Sequence, residues 1–340
     1  MALPLSPPVA PMLAKLEREL PRGDGWVYEP KWDGFRAIVF VSGGDAYLQS
    51  RDKKPLNRYF PELVPALVET FPAECIVDGE VVVAGPQGLD FDLLQMRIHP
   101  AESRVKMLAA ETPASFVAFD LLAVGERSLM EEPLAARRQE LAGLLDGRDG
   151  SGVPGPGSTQ VLLTPQTDSF DEADAWFETF EALGLDGVVA KKVDIRYRPG
   201  QRVMVKVKKV KTADCVVGAY RPSRADDGIG SLLLGLYRDG VLHFVGHTSS
   251  FSTAERKRLR GVLKEYEDLE AARSFGEGRT PGGPSRWARA EQEIWTPLRP
   301  ELVCEVRYDK MQGDRFRHAA TFLRWRDDKR PEDCTFDQFA

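Results

Sequence analysis

Short strand-like stretches recur along the whole chain, and this pattern limits the folds open to it. Ala37–Val41 and Ala46–Gln49 flank Ser42–Asp45, an arrangement typical of a β-hairpin. Helical periodicity appears at Pro61–Thr70, Leu134–Leu145 and Ser169–Leu183. Strand-like segments dominate after about residue 211. The pattern therefore predicts a mixed α+β domain followed by a strand-rich one.

Length and composition are those of a globular protein with two domains. The chain has 340 residues, of which 42% are hydrophobic and 29% charged. Its apolar runs are too short for a transmembrane helix, so we expect no membrane partner. The N-terminus carries no positive charge and contains several prolines, which argues against a secretory signal. Four widely spaced cysteines indicate neither a zinc site nor a disulfide framework, and we expect a cytoplasmic location.

Charge is distributed unevenly along the chain. Residues 1–208 carry 23 Lys and Arg against 31 Asp and Glu, whereas residues 209–340 carry 23 against 21. An acidic total argues against nucleic acid as a partner, but phosphate binding requires only a local cluster of cations. Arg256–Arg260 and the arginines between 315 and 326 form such clusters. The first is equally consistent with a solvated helix face.

The segment Glu29–Arg36, EPKWDGFR, is the most informative for chemistry. A lysine followed by a turn-forming Asp-Gly and an arginine suits a nucleophile held beside a phosphate. The Lys31 amine must lose its proton before it can attack, which costs about 4–5 kcal/mol at neutral pH. Neighbouring cations, including a metal ion, lower that cost. The alternative is an exposed lysine before a hairpin turn.

A second lysine pattern occurs at residues 203–208, VMVKVK. The two-residue period of a strand places Met204, Lys206 and Lys208 on one face and the valines on the other. Adjacent ammonium groups repel each other unless an anion lies between them, so the pattern favours a phosphate ligand. A solvated edge strand remains the alternative.

Carboxylates lie next to two apolar stretches. Asp78-Gly79-Glu80 and Asp186-Gly187 are expected to place them at the mouths of strands, where hard oxygen ligands suit Mg²⁺ bound to substrate phosphates. Near the C-terminus, Arg324, Arg326 and Lys329 alternate with aromatic and acidic residues, which suits contact with a pyrophosphate. Each of these patterns is also explained by ordinary turns or by internal ion pairs.

Together, in this order, these segments resemble the nucleotidyltransferase motifs of ATP-dependent DNA ligases and the related capping enzymes. The similarity is greatest to small stand-alone bacterial ligases of the C type. Pro11–Ala14, Gly184–Gly187, Tyr197–Gly200 and Thr212–Cys215 extend it over nearly the whole chain. The resemblance implies sealing of nicks in duplex DNA, through a lysyl-AMP and then a DNA-adenylate, in DNA repair.

The resemblance also implies a role for each motif residue. Lys31 would accept AMP from ATP, and Glu29 would contact the adenine amino group. Arg36 would hold the ribose and lower the pKa of the lysine, and Arg51 would bridge the nucleotide and the DNA 5′-phosphate. Glu80 would contact the ribose and the metal ion, and Asp186 would be a second metal ligand. Phe119 would stack on the adenine, and Lys206 and Lys208 would bind the α-phosphate.

Two positions depart from the family pattern. Asp186 stands where the wider family usually has Glu, and its shorter side chain would reach a metal ion through a bridging water. Met204 stands where a Trp is common, which we expect to affect packing more than chemistry.

The implied fold is an α+β nucleotidyltransferase (ATP-grasp-like adenylation) domain, residues 1–208, followed by an all-β OB-fold domain, residues 209–340. Arg324, Arg326, Asp328 and Lys329 would form the motif that closes over ATP. ATP is the expected co-substrate with Mg²⁺ or Mn²⁺. Nicked duplex DNA and repair proteins are the expected partners, and we expect a monomer in the bacterial cytoplasm, associated with the nucleoid.

Three other classes of protein share part of this pattern. A capping guanylyltransferase shares the lysine motif but uses GTP, whose carbonyl Glu29 would repel. An RNA ligase usually lacks this OB-fold arrangement. A nucleic-acid-binding module with a decayed site would have lost some of the charged positions. The sequence leaves open which repair pathway is served and whether a Ku-like partner recruits the protein.

Overall fold

The computed structural model describes residues 3–71, 74–86, 88–145, 154–179, 183–208, 210–223, 225–268, 275 and 295–339. The chain divides into two compact units, Met1–Lys209 and Val210–Ala340. Lys209, the first residue of the expected second domain, lies outside the described residues.

The first unit is built from strands and helices that alternate irregularly along the chain. Its strands are β1 (Leu13–Glu17), β2 (Trp26–Pro30), β3 (Phe35–Ser42), β4 (Asp45–Ser50), β5 (Cys75–Gly85), β6 (Gly88–Leu89), β7 (Ala114–Val124), β8 (Arg127–Ser128), β9 (Val161–Leu163), β10 (Val188–Lys192) and β11 (Arg202–Val207). Its helices are α1 (Leu63–Thr70), α2 (Phe91–Met96), α3 (Glu102–Glu111), α4 (Leu134–Leu144) and α5 (Phe170–Thr179).

These strands form two sheets. The larger has the order β4-β3-β5-β7-β8, with β6 paired to β5 and β9 parallel to β7, and the smaller has the order β1-β11-β10-β2. The central strands β5 and β7 are buried on both faces, which explains their nearly continuous apolar sequences. Both sheets therefore contribute to the interior of this unit.

The apolar clusters show how the layers of the first unit pack. Helices α1 and α4 cover one face of the larger sheet, with Leu67 and Leu141 fully buried there. The opposite face packs against the smaller sheet, where Ile76 joins one cluster with Met204. Helix α5 covers the other side of the smaller sheet through Trp176. The two sheets thus face each other, and the charged motifs lie on the strands that line this interface.

In its described residues, the second unit is a curved sheet with one α-helix. Its elements are β12 (Lys211–Pro222), β13 (Ile229–Arg238), β14 (Val241–Thr248), α6 (Thr253–Leu263), β15 (Thr296–Pro297), β16 (Val303–Tyr308), β17 (Met311–Gln312), β18 (Arg315–Phe316) and β19 (Thr321–Trp325). The main strand order is β14-β13-β12-β16-β19. A parallel bridge between Thr248 and Ala320 joins the end of β14 to the start of β19 and closes the sheet toward a barrel.

Most of the expected elements are present. The hairpin is β3 and β4, and the expected helices correspond to α1, α4 and α5, although residues 180–182 at the end of the last one lie outside the described part. The expectation that Asp78 and Glu80 lie at a strand mouth is wrong, because both are inside the eleven-residue β5. The second unit is strand-rich as expected but contains α6. None of the described helices is long and apolar enough to span a membrane.

Candidate active site

A cavity of about 290 Å³ lies within the first unit, lined by residues from both sheets. Its walls include seven of the side chains expected from the sequence: Glu29, Lys31, Arg36, Arg51, Glu80, Phe119 and Lys206. These residues are up to 177 positions apart in the chain, and the packing of the two sheets brings them together. Lys208 and Asp186 do not line the cavity. Asp186 forms ion pairs with Lys208 and with Lys31, which does line it.

Lys31 follows β2 and is held next to the segment that leads into β10. Its backbone N–H donates to Gly187 O at 2.8 Å, and Asp186 N–H donates to Lys31 O at 2.9 Å. Gly187 has a φ of 132°, and a Cβ there would lie 2.1 Å from Val207 O, so this close approach requires glycine. The result places the Lys31 and Asp186 side chains side by side.

Asp186 bridges two of the motif lysines. Its Oδ2 lies 2.5 Å from Lys31 Nζ and 2.7 Å from Lys208 Nζ. Burial alone would raise the pKa of the Asp186 carboxyl, but the two ammonium groups lower it by more. The carboxylate is therefore ionised at neutral pH and holds both lysines near one point.

Arg36 is fixed by a buried carboxylate. Asp78, which is fully buried, accepts hydrogen bonds of 2.6 Å from both Nε and Nη2 of Arg36. The Tyr197 hydroxyl donates to Asp78 at 2.6 Å and accepts from Met12 N–H at 3.1 Å. The guanidinium lies over the Phe119 ring, 4.3 Å from its centroid. This fork geometry leaves one edge of the arginine for a ligand in the cavity.

Glu80 is the carboxyl with the most perturbed protonation in the cavity. It lies opposite Arg36 in the β3–β5 pairing and on the same face of β5 as Asp78. Burial raises the pKa of Glu80 to about 7, although the nearby charges of Arg36 and Lys31 oppose this. A carboxyl of this kind loses its proton readily when a cation binds.

Glu29 lines the cavity and is paired with two neighbouring side chains. Its Oε2 lies 2.6 Å from Lys191 Nζ, both groups being buried, and its Oε1 accepts from Gln166 Nε2 at 2.8 Å. Lys191 Nζ also lies 4.9 Å from the centroid of Phe119. These contacts fix the carboxylate beside the aromatic ring, in an orientation that a planar base could contact.

The strand alternation of β11 places Met204 and Lys206 on the cavity wall, and Lys208 follows the strand end. Burial lowers the pKa of the Lys206 ammonium, and the charges of Lys31 and Lys208 lower it further. Arg51 contributes to the same effect. Met204 is in contact with the cavity, so the departure from Trp changes the lining as well as the packing.

Among the cavity residues to which the sequence analysis gave no role of their own are Met12, Lys191 and Arg202. Arg202 is exposed, and the described residues provide no ion-pair partner for it. Lys191 is the polar end of the apolar stretch Val188–Ala190, and this was the only available signal. Tyr197 was part of a quoted motif, but nothing in the sequence indicated its bond to Asp78.

In the second unit, two of the four closing-motif residues contact Asp214. Arg326 Nη1 lies 2.9 Å from one Asp214 oxygen and Lys329 Nζ lies 3.0 Å from the other. Arg326 also forms a forked pair with Asp328 at 2.8 and 2.9 Å. Arg324 lies apart from this group and pairs with Glu305 at 2.7 Å.

The basic run on α6 is engaged by neighbouring acids. Lys257 pairs with Asp227 at 3.0 Å, and Arg258 pairs with Glu255 at 2.7 Å. Arg260 pairs with Glu267. These contacts favour the interpretation of this run as a solvated helix face.

Two family models match the chain. Residues 7–208 match the ATP dependent DNA ligase domain, and residues 225–329 match the ATP dependent DNA ligase C terminal region. The first match covers more than half of the chain. The protein belongs to the ATP-dependent DNA ligases, so the expected enzymatic activity and the two-domain fold class are confirmed.

Similar proteins are found among the bacterial enzymes of this family. The chain is 50% identical to DNA ligase C1 of Mycolicibacterium smegmatis, covering 99% of this chain and 95% of that protein. It is 49% identical to DNA ligase C of Mycobacterium tuberculosis over the same shares. Among solved structures, the ligase domain of M. tuberculosis LigD is 29% identical with a TM-score of 0.51, covering 96% of this chain and 98% of that one.

Proposed function

We propose that residues 1–208 form the adenylation domain of this ligase and residues 209–340 its OB-fold domain, with Lys31 as the nucleophile. The observation that carries the proposal is the cavity in which Lys31 lies with an arginine, an aromatic ring and a further lysine. Deprotonated Lys31 Nζ attacks the α-phosphorus of ATP. A P–N bond forms, the bond to the bridging oxygen breaks so that pyrophosphate leaves, and the nitrogen releases one of its protons to water.

The other cavity residues bind the nucleotide. Phe119 stacks on the adenine, and Glu29 accepts a hydrogen bond from its amino group. Arg36, held by Asp78, contacts the ribose. Lys206 and Lys208 neutralise the α-phosphate, and Arg51 connects it to the DNA 5′-phosphate. The pairing of Glu29 with Lys191 and Gln166 supports this, because it orients the carboxylate before the base binds.

Mg²⁺ or Mn²⁺ is the metal we propose. Within the described residues there is no group of three or more His, Cys, Asp or Glu side chains that could hold a metal ion. Glu80, with its raised pKa, and Asp186 fit an ion that receives most of its ligands from substrate phosphates and water. Asp186 is already bound to Lys31 and Lys208, which favours a water-mediated contact. The ion would stabilise charge on the phosphates as a Lewis acid.

Arg324, Arg326, Asp328 and Lys329 are proposed to orient the departing pyrophosphate. Asp214 supports this role, because it holds Arg326 and Lys329 with their charges close together. After adenylation, AMP passes to the 5′-phosphate at a nick. The 3′-hydroxyl then attacks, which forms the phosphodiester and releases AMP.

We further propose a role in DNA repair, as a monomer on nucleoid DNA in the bacterial cytoplasm. Support comes from related ligase domains that occur in proteins named for non-homologous end joining, such as LigD of M. smegmatis, which is 28% identical over 92% of this chain. Repair proteins are the expected partners.

Covalent labelling tests the proposed chemistry. The protein is incubated with α-labelled ATP or α-labelled GTP and Mg²⁺, and the labelled protein is chased with nicked duplex DNA. We expect label from ATP alone, transfer of the label to the 5′-phosphate, and no labelling of Lys31→Ala.

Lys106→Ala is the matched control, because Lys106 is an exposed lysine paired with Glu102 on α3. It should be labelled like the unmodified protein. Label from GTP would indicate capping chemistry instead. Labelling that persists in folded Lys31→Ala would show that another residue is the nucleophile.

A further inference from the structure

The turn that follows β4 carries three cations, two of which the proposed chemistry leaves without a role. This basic turn, defined as residues 50–54, contains Arg51, Lys53 and Lys54, all exposed. The described part of the chain provides no ion pair to any of the three. Asp52 is the single acidic residue of the turn. Other cations of the first unit also lack an ion pair among the described residues, Arg18 and Arg104 for example, but those two are single and lie outside the cavity wall, whereas the turn groups three cations and one of them lines the cavity.

The backbone of the basic turn is closely defined. Lys53 N–H donates to Ser50 O at 2.9 Å, Ser50 N–H donates to Lys54 O at 2.8 Å, and Lys54 N–H donates to Ser50 Oγ at 3.0 Å. The pattern is a tight turn followed by a residue in the left-handed region. The three cations are therefore presented in a fixed arrangement rather than on a mobile loop.

Lys53 occupies that left-handed position, with a φ of 63°. Glycine is the residue that adopts this conformation at least cost, and lysine pays a steric penalty there. The turn itself therefore provides no reason for a lysine. A residue kept at a strained position points to a role for its side chain.

The root of the turn is anchored in the core. Gln49 is fully buried, donates to Val9 O at 2.6 Å and accepts from Val9 N–H at 2.9 Å. Leu56 N–H donates to Leu48 O at 2.8 Å on the far side of the turn. Binding an anion here would cost little further backbone entropy, and the remaining cost would come from ordering the lysine side chains.

The position of the turn distinguishes between two phosphate ligands. Arg51 lines the cavity with Lys31, whereas Lys53 and Lys54 do not. A nucleotide inside the cavity would meet Arg51 alone, and a polymer leaving the cavity would carry further phosphates past both lysines. Because residues 1–208 are acidic overall, DNA would meet repulsion over much of this unit, which makes local unpaired cations valuable.

We propose that Lys53 and Lys54 bind internal backbone phosphates of the nicked DNA strand, next to the reacting 5′-phosphate. This inference rests on the proposed role of Arg51 at that phosphate. The contacts are electrostatic and independent of base sequence, so they contribute affinity and register rather than specificity.

The test measures binding of the full-length protein to a nicked duplex with a 3′-dideoxy end, which cannot be sealed, over a range of salt concentrations. Lys53→Gly and Lys54→Gln should each weaken binding and reduce the slope of log K against log salt by about 0.9, and the double variant by about twice that. Lys53→Arg should keep the slope, and Lys106→Ala should also leave it unchanged.

Two further measurements separate the alternatives. Glycine adopts the left-handed backbone conformation of residue 53 without steric strain, so Lys53→Gly should raise the thermal midpoint of unfolding by about 2 °C. Weaker DNA binding by this variant would then not reflect poorer folding. The slope change should persist on a nick that carries a 5′-hydroxyl, because the contacts are internal. Unchanged slopes in both single variants would overturn the proposal.

A raised KM for ATP in self-adenylation, with an unaltered salt slope, would show instead that the turn binds nucleotide phosphates. Self-adenylation tests Lys31 separately. A failure of the basic-turn proposal therefore leaves the proposed nucleophile unaffected, and a failure of Lys31 labelling would be recognised independently of DNA binding.

Discussion

Glu80 shows how one residue's environment couples chemistry to stability. The sequence indicated a carboxylate beside an apolar run. The pairing of β3 with β5 places Glu80 inside a strand and supplies the burial and the charged neighbours that set its pKa. The folded-state pKa of about 7 lies above the ordinary 4.5 of an unfolded chain. Folding therefore takes up a proton between these values, and ionised Glu80 destabilises the fold above pH 7.

Glu80→Gln tests this relation. We expect the variant to have a larger free energy of unfolding than the unmodified protein at pH 8, by about 1–3 kcal/mol, because it removes an ionised buried carboxylate. The difference should shrink as the pH falls from 7 and vanish near pH 4, where Glu80 is neutral in both states. Denaturant unfolding across this pH range measures it, and a constant difference would contradict the raised pKa.

Asp78 is hydrogen-bonded to both Arg36 and Tyr197. Substituting Asp78 and Tyr197 in turn therefore separates the contributions of the two contacts to stability. Asp78→Asn removes the charge opposite Arg36, and we expect a loss of about 3 kcal/mol in stability with a raised KM for ATP in self-adenylation. Tyr197→Phe removes a single hydroxyl, with an expected loss of about 1–2 kcal/mol. Chemical denaturation and adenylation kinetics measure both. An unchanged KM in Asp78→Asn would show that Arg36 needs no positioning by this carboxylate.

At the scale of elements, buried charges join helices to the sheets that carry the site. Arg137 on α4 forms a forked pair with Asp120 on β7 at 2.7 and 2.9 Å and donates to Ile195 O at 2.9 Å. Both side chains are nearly inaccessible to solvent. Because Asp120 follows Phe119 directly, this pair also fixes the strand segment that presents the aromatic ring.

Arg137→Met leaves Asp120 buried without its partner, and we expect a loss of about 3–5 kcal/mol in stability. The double variant Asp120→Leu/Arg137→Met should recover most of this loss, because no unpaired charge then remains in the core. Thermal or denaturant unfolding of the unmodified protein, the single variant and the double variant measures these differences. A double variant no more stable than the single one would mean that the pair itself contributes net stability.

Sequence patterns predicted elements better than they predicted the positions of charges within them. The turn residues Ser42–Asp45 and the apolar periodicity of α1 and α4 are local signals, and both elements are present. Asp78 and Glu80 were wrongly expected at a strand end, because Asp-Gly usually marks a turn, whereas here Gly79 packs within β5. A Cβ at Gly79 would lie 2.3 Å from Phe116 Cζ, so contact with β7 requires the glycine.

At the scale of the whole molecule, the two compact units carry different parts of the proposed reaction. If the closing motif acts only on the pyrophosphate, Arg326→Ala should lower the rate of self-adenylation with ATP by about two orders of magnitude. It should still seal a nick that already carries AMP on its 5′-phosphate. Single-turnover assays of the two steps measure this separation.

Arg330→Ala is the matched control for that experiment. Arg330 is an exposed arginine close to the motif, paired with Asp333 at 2.7 Å. Both steps should proceed normally in this variant. Equal loss of both steps in Arg326→Ala would indicate instead that the arginine supports the fold of the second unit through Asp214.

The family and the two-domain fold class were within reach of the amino-acid sequence, because the motifs are short, ordered and chemically specific, and seven of the expected side chains line one cavity. Pairings such as Glu29 with Lys191 and Tyr197 with Asp78 were not. Glu29 and Lys191 meet because β2 pairs with β10, and Tyr197 and Asp78, 119 positions apart, meet only once the unit has folded. No local pattern encodes which buried donor finds which acceptor. Protonation follows the same rule, because the pKa of Glu80 depends on burial and on neighbours supplied by other strands.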